Sequence, residues 1–380
     1  MHPMMKPALR RAWRDRQSVQ FGVTPAHAVT LGPVDTATGA LMELLDGTRG
    51  LPLLREEARA MGLPDGRAEA LVDRLTAAGL LDDPTAGGPA ATALRGRTAV
   101  HDRLRPDIAS LSVVHPEPGG AAGRVAARRA IRVQVRGAGR VGAAIAATLS
   151  AAGVGRVEVL DGGYADPGDV SPGGLPADAV GDRRDTAARR LVRRAAPDRP
   201  PRTARTQDRA GAEPGLSLVV VAPRDGLAAY APALADAEDW ISTGIPHLYT
   251  GVVEATGVVG PLVLPGCTAC AGCMERGRAE ADPGRPRLLA QWRSGRRGTV
   301  AACDVALAAA VSGLAACHSL SFLDGGAPAS TGHRWEISLP QLSWRSERIT
   351  PHLDCLCGAA GKSERRHTSA VGSTRETMHG

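Results

Sequence analysis

Aromatic residues are scarce in this 380-residue chain: Phe, Trp and Tyr together make up 3%. Single-stranded nucleic acid is bound largely by stacking bases on aromatic rings, so the scarcity argues against that class of partner. The net charge of +7 does not reverse the argument. The basic residues are scattered along helical stretches, at the termini and in connecting segments, without the clustered patch a nucleic-acid surface needs. Cysteine is absent until Cys267, and a chain so organised is not a small disulfide framework. Long hydrophobic runs are missing too. No stretch of about 18 consecutive apolar residues occurs, so no membrane span is expected. Lys6, Arg10, Arg11, Arg14 and Arg16 have no apolar segment behind them, so no secretory signal is expected. The expectation is a cytoplasmic globular protein. Its hydrophobic content of 43% is ordinary, and its length suits two domains.

Residues 1–83 read as a first small unit. Two short strands lie within Ser18 to Leu31, separated by Gly22 to Ala28. Asp35 is placed to cap a helix through Leu41 and Leu45, and Gly47 ends it. Leu51 to Met61 and Arg67 to Ala78 read as two more helices. In the second, Ala70, Leu71, Leu75 and Ala78 share one face. The sequence Ala78-Gly79-Leu80-Leu81 then turns into a closing strand. Strands, three helices and a final strand make a small winged-helix-like α+β unit. Residues 84–128, framed by Pro and Gly, read as a linker whose clearest element is Ile108 to Val114.

The richest stretch runs from Ile131 to Leu175. Ile131 to Val135 reads as a strand. Gly137, Gly139 and Gly142 follow in the pattern G-x-G-x-x-G, then an alanine-rich helix over Val141 to Ala152. A second strand, Arg156 to Leu160, ends on Asp161. Glycines let a backbone turn tightly against phosphate, a helix start favours an anion, and an acid at the tip of the second strand can hold a ribose. Further along, Ala179 to Ala196 reads as an arginine-rich helix, Arg202 to Gln207 as a strand, and Leu216 to Ala222 as a strand buried on both faces. Gly226 to Ala237 reads as a helix and Trp240 to Gly244 as a strand. Val252 to Leu264 carries two strands turned at Ala255 to Gly257. Ala302 to Leu320 is a long apolar helix, and Arg334 to Leu342 a late strand. The polar stretch 361–380 is expected to be a disordered tail.

The words around the glycine turn are more specific than the turn itself. Gly137-Ala138-Gly139-Arg140-Val141-Gly142, followed by Ala152-Gly153-Val154-Gly155-Arg156 and then Asp161, resembles the ThiF/MoeB/HesA family, bacterial relatives of ubiquitin-activating enzymes. The resemblance covers residues 129–360. It implies an α/β fold, a Rossmann-like domain with a mainly parallel sheet. It also implies ATP and Mg²⁺ as cofactors, with the phosphates over Gly137, Gly139 and Gly142 and the ribose at Asp161. A nicotinamide- or flavin-dependent oxidoreductase uses the same glycine pattern but leaves the rest of the match unexplained.

Five cysteines form two groups: Cys267, Cys270 and Cys273 at three-residue spacing, and Cys355 with Cys357 far along the chain. A C-x-x-C turn donates two thiolates, and a second pair completes a tetrahedral zinc site. The family resemblance selects Cys270 and Cys273, which lie directly before a charged helix, and implies a structural Zn²⁺ held by Cys270, Cys273, Cys355 and Cys357. His352 is a spare ligand, and Cys267 is a bystander. Cys303 and Cys317 read as buried small hydrophobes on the apolar helix.

Family members make an acyl-adenylate, and charge on the phosphates calls for cations and a metal-binding acid. The family's N-x-N-R-Q segment is replaced here by Asp169-Val170-Ser171-Pro172-Gly173, without its Arg. The lysine of the next helix falls at Arg183 or Arg184, and the acid after the fourth strand at Asp225. The resemblance therefore implies an ATP-dependent adenylyltransferase acting on the carboxylate of a peptide or small carrier protein, with Arg184 and Asp225 in catalytic roles. The alternative is a degenerate relative that binds a leader peptide and delivers it to a partner modifying enzyme of the cyclodehydratase type. In that reading residues 1–83 resemble the peptide-clamp units of azoline-peptide biosynthesis. Partners expected are the peptide or carrier, a modifying enzyme and a second copy in a homodimer, with no membrane and no nucleic acid.

Overall fold

The computed structural model describes residues 1–198, 215–294 and 300–360. Contacts divide the chain into two compact units, Met1–Arg129 and Ala130–Gly380. The proposed strand over Arg202 to Gln207 and the tail 361–380 lie outside the described residues.

The first unit holds β1 (Met4–Met5), β2 (Arg11–Trp13), β3 (Val19–Phe21) and β4 (Val29–Leu31), then α1 (Thr36–Glu43), α2 (Leu51–Ala60), α3 (Arg67–Ala77) and β5 (Leu81–Asp82). Strands β2, β3 and β4 form an antiparallel sheet, and β1 pairs with β5. Asp35 does cap α1: its carboxylate accepts from the Thr38 N–H at 2.6 Å. Leu71 and Leu75 are buried with Val19, Phe21, Leu41 and Leu54 in one core.

The stretch 84–128 differs from the expected linker. It forms α4 (Gly88–Arg95), α5 (Thr98–Val114) and α6 (Gly120–Ala127), which share a small core of Ala91, Leu94, Val100, Leu104 and Val125. Pro89, Gly87 and Gly119 sit at helix starts, where a missing N–H and a left-handed backbone cost little, whereas Pro106 lies inside α5. Gly87 and Gly119 take φ of +93° and +74° just before α4 and α6.

The second unit is built on a seven-stranded sheet. Its elements are β6 (Arg132–Arg136), α7 (Arg140–Ala151), β7 (Arg156–Leu160), α8 (Arg184–Ala195), β8 (Leu218–Val221), α9 (Leu227–Tyr230), α10 (Glu238–Ser242), β9 (His247–Val253), β10 (Thr256–Val263), α11 (Ala271–Ala281), α12 (Arg285–Ser294), α13 (Val305–Leu323), β11 (His333–Ser338) and β12 (Ser343–Arg348). The order is β12-β11-β10-β9-β8-β6-β7. Strands β7, β6, β8 and β9 run parallel, and an antiparallel meander β9–β12 extends the sheet. The α/β class follows from this arrangement. α7 and α13 pack together on one face, where Val133, Val135, Val220, Leu248 and Leu262 meet Ile145, Leu149, Val311 and Ala315.

Several expected elements shift. Trp240 to Gly244 is not a strand; Trp240 lies in α10, buried against Val219 and Ile241. Acidic Glu238 and Asp239 suit the first turn of a helix, and the next strand begins only at His247. The helix expected over Gly226 to Ala237 stops at Tyr230, because Pro232 follows. The arginine-rich helix begins at Arg184 instead of Ala179, after Gly181 adopts φ +89°. The late strand ends at Ser338, and a turn through Leu342 at φ +54° leads into β12. α13 is long and apolar enough to cross a membrane by length and composition alone, and it is partly buried. Its inner side lies in the core of the sheet domain. Cys317 is exposed on α13, and half-buried Cys303 precedes that helix, so neither is the buried hydrophobe expected.

His247 on β9 is fully buried, its ring 5.3 Å from Trp240 and 5.5 Å from Tyr249. Burial lowers its pKa to about 4, only partly offset by the hydrogen bond of Nδ1 to the Ile245 carbonyl at 3.1 Å. A histidine that is neutral when folded contributes stability fully above its unfolded pKa. That contribution is lost as pH falls toward the folded value. Between pH 7.5 and 5 the loss should be about 2 kcal/mol. Urea unfolding of the wild type and of His247→Gln at both pH values checks this: the variant should show a pH dependence smaller by that amount.

Candidate functional site

The glycine turn joins β6 to α7. Gly137 has φ +110°, and a Cβ there would stand 2.0 Å from the Ala222 carbonyl oxygen. A Cβ on Gly142 would stand 2.1 Å from the Gly137 oxygen. Both glycines are therefore demanded by the packing of the turn against the end of β8. Gly139, the N-cap of α7, is more open: a Cβ there would meet Arg224 at 3.2–3.3 Å.

Asp161 follows β7 and faces the same turn. One carboxylate oxygen accepts the Ala138 N–H at 2.8 Å. The other accepts the Gly163 N–H and the Arg184 Nε–H, each at 2.9 Å. The side chain is only 7% exposed. Arg184, at the start of α8, also donates to the Tyr164 carbonyl at 2.5 Å and lies 3.5 Å from Asp169. Asp169 is buried and receives the Arg224 Nε–H at 2.6 Å, while Arg224 Nη2 donates to Asp166 at 2.6 Å. Arg140 donates to the carbonyls of Gly168 and Cys303 at 2.6 and 2.7 Å. Three aspartates and three arginines thus surround the turn: Arg184 and Arg224 are paired with Asp161, Asp166 and Asp169, while Arg140 is held by backbone carbonyls alone. Charge-assisted hydrogen bonds of this kind are the strong ones, and leaving one member unpaired in a buried place is costly.

The structure brings Gly137, Gly139, Gly142, Asp161 and Arg184 together. Asp225 stands apart from the network: it is exposed, and its carboxylate accepts the Leu227 N–H at 3.0 Å. Its neighbour Arg224 is the residue that reaches the turn. Sequence reading gave no role to Arg140, Asp166 or Asp169. The run Asp166-Pro167-Gly168-Asp169 was the available signal, since Asp166 and Asp169 form a reciprocal cap on a single helical turn.

The four cysteines form a separate centre. The sulfurs of Cys270, Cys273, Cys355 and Cys357 all lie within 4.8 Å of one another. Cys270 to Cys273 is 3.9 Å, Cys270 to Cys355 is 3.5 Å, and Cys273 to Cys357 is 3.5 Å. A tetrahedral ion with metal–sulfur bonds of about 2.3 Å would set sulfurs about 3.8 Å apart, so the set fits a divalent ion. Cys270 caps α11 and Cys273 sits in its first turn. Gly272 between them leaves room for the Cys355 sulfur, which a Cβ would approach to 3.2 Å. Hydrogen bonds to Cys273 and Cys357, together with burial, push the Cys270 thiol up, whereas hydrogen bonds from Cys270 and Cys273 hold Cys357 down at about 2. Without a cation the four sulfurs cannot all be thiolates; a metal removes that conflict. His352 is turned away to Glu280 at 2.8 Å, and Cys267 is exposed.

A parallel β-α-β corner with a glycine turn, extended by an antiparallel meander and a four-sulfur centre, defines the class of domain. The ThiF family model matches residues 115–359, and the chain belongs to the ThiF family. Among solved structures it is similar to the microcin C7 biosynthetic enzyme MccB of E. coli. The structure with MccA-N7isoASN has 14% identity and a TM-score of 0.66, with 94% of this chain and 100% of that chain covered. The structure of MccB with ATP has 14% identity and a TM-score of 0.65, covering 94% of this chain and 99% of that one. PaaA has 17% identity and a TM-score of 0.62, covering 90% of this chain and 99% of that one. No curated protein matches the chain.

The steric reading separates the glycines. Gly137→Ala and Gly142→Ala should each destabilise the chain by about 3 kcal/mol or more, because the obstacle is backbone. Gly139→Ala should cost less, about 1 kcal/mol, because its nearest contacts, the Arg224 Cγ, Cβ and Cα, stand at 3.2–3.3 Å and need move only a few tenths of an ångström. Thermal or urea unfolding of the three variants is the check; equal losses at all three would contradict it.

Proposed function

We propose that this ThiF-family chain serves peptide modification as a binding member: it holds a leader-type peptide and delivers it to a partner modifying enzyme, of the cyclodehydratase kind. One observation carries the reading. Asp161, the acid a ribose would need, is already taken by the Ala138 N–H, the Gly163 N–H and Arg184, and Arg224 lies beside Gly139 with its guanidinium bound to two aspartates. The glycines do not argue otherwise, since packing alone requires Gly137 and Gly142. The missing Arg of the Asp169–Gly173 segment points the same way. The first unit, with its three-stranded sheet and helices, is where a peptide-clamp function would reside, in residues 1–83. MccB, similar in fold, has been solved with MccA, which supports a peptide partner for this chain.

Adenylyl transfer is the second reading, and a specific observation favours it. The N-terminus of α7 has no side-chain cap, and Arg140, Arg184 and Arg224 converge on it. An ATP phosphate would find helix N–H groups and three cations there. For this the Arg184–Asp161 pair must open, freeing Asp161 for ribose. Asp225, one residue from Arg224, would serve Mg²⁺.

The zinc assignment stands beside either reading. Cys270, Cys273, Cys355 and Cys357 would hold Zn²⁺ as a closed four-thiolate site, whose role is to staple the start of α11 to the chain after β12; with all positions filled by protein it performs no chemistry on substrate.

Two measurements test these statements. ATP–pyrophosphate exchange and fluorescence-anisotropy binding are run on the full chain with candidate peptides from neighbouring reading frames. Binding without exchange is expected, and exchange that disappears in Asp161→Ala would establish the adenylyltransferase instead. Metal analysis of freshly purified, unchelated protein should give one zinc per chain. Cys270→Ser should lose it together with several kcal/mol of stability; a metal-free wild type of normal stability would exclude the site.

A further inference from the structure

Strands β6 and β7 alternate along their length. Val133 beside Val157 and Val135 beside Val159 face α7 and α8 and join the main core. Arg132 beside Arg156, Gln134 beside Glu158 and Arg136 beside Leu160 face the other way. Parallel strands are normally covered on both faces, usually by helices, and then read as continuous apolar runs. β8, with Leu218-Val219-Val220-Val221, is of that kind. β6 and β7 are not. Among the described residues, the helices with substantial packing on these two strands are α7 and α8, which occupy the first face. On the second, Trp240 of α10 stands against Arg136.

The charge of the open face selects an occupant. Arg132, Arg136 and Arg156 share it with one carboxylate, Glu158, which accepts from Arg132 at 3.1 Å and from Arg156 at 2.6 Å. Arg136 has no carboxylate partner among the described residues. Its Nε donates to Gln134 at 2.9 Å, and its guanidinium lies 4.6 Å from the centre of the Trp240 ring. It is held flat on the indole yet remains exposed, so it keeps donors for an incoming carboxylate and loses little freedom on meeting one. Leu160 beside it is 42% exposed. A helix with Leu at every fourth position offers one apolar ridge for Leu160, with glutamates flanking it for the arginines. Nucleic acid fits less well. The Trp240 ring is covered by Arg136 and cannot stack a base, and Glu158 repels phosphate.

We propose that the open face of β6 and β7 docks an acidic amphipathic helix of a partner protein, laid across the two strands as α7 is on the opposite side. The proposal goes beyond the peptide-delivery reading and does not depend on it.

The test uses the full chain and a fluorescein-labelled peptide of four Ala-Glu-Leu-Glu repeats, followed by anisotropy. Saturable binding at one site per chain is expected, weakening as salt is raised from about 0.05 to 0.3 M. Replacing each Glu of the peptide by Lys should abolish it. Arg136→Glu should raise the dissociation constant about tenfold or more. Arg345→Glu makes the same change of net charge on exposed β12 and should shift it less than about twofold. In hydroxyl-radical footprinting of the wild type the peptide should protect Leu160 and leave Leu353, which is 81% exposed, unchanged. A wild type that does not bind the peptide overturns the proposal, as does equal weakening by Arg136→Glu and Arg345→Glu. A DNA duplex of matched charge that binds more tightly than the peptide and is lost in Arg136→Glu makes the face a nucleic-acid surface and overturns it too. If Arg136→Glu does not fold, the footprint at Leu160 decides.

Discussion

The sheet domain depends at its active-type end on one buried carboxylate. Asp161 ties three segments together: the glycine turn through Ala138, the following loop through Gly163, and α8 through Arg184. The carboxylate accepts three hydrogen bonds from within the protein, and removing either partner of the buried Asp161–Arg184 pair would be costly. From Arg184 the coupling passes to Asp169, then Arg224, then Asp166. The loop after β7 and the end of β8 are thereby fixed against the turn. The arginines and aspartates brace the corner: Arg184 and Arg224 are tied to carboxylates, and Arg140 to the Gly168 and Cys303 carbonyls.

A second set of polar contacts secures the opposite part of the domain. Arg334 on β11 is fully buried, donates to the Tyr230 carbonyl at 2.7 Å and to Glu336 at 2.6 Å, and lies 3.9 Å from the Tyr230 ring. Arg278 on α11 lies 5.4 Å from the centre of the same ring and reaches Glu347 on β12. These arginines connect the helix that starts at Cys270 with the antiparallel meander. The four-cysteine centre adds a second tie between α11 and the chain after β12. Charge thus joins segments 69 residues apart, and sulfur joins segments 84 and 85 apart.

Much of this was legible in sequence. Strands β6 and β7 and helix α7 sit within a residue or so of the expected bounds, because alternation, glycine and alanine content all point to one local structure. The cysteine set was readable because C-x-x-C spacing reports a local turn. Other features were hidden for physical reasons. The helices of 84–128 have starts marked by Pro and Gly, which read equally well as loop. Trp240 and Ile241 have strand propensity, but packing against Val219 made them helical. The role of Arg224 depends on a contact 55 residues away in sequence, which no local pattern records. Which of the neighbours Arg224 and Asp225 faces the turn depends on side-chain direction: Arg224 reaches Asp169, and Asp225 accepts the Leu227 N–H. The glycine motif has a second physical reason beside a phosphate, which no spacing reveals: the Ala222 and Gly137 carbonyls leave no room for a side chain at Gly137 and Gly142.

The central claim is that the Asp161–Arg184 pair closes the nucleotide corner. Titration calorimetry of Mg²⁺·ATP into the full chain tests it most directly. No saturable heat below millimolar nucleotide is the result expected. Micromolar binding at one site per chain, abolished by Gly139→Val, would contradict it.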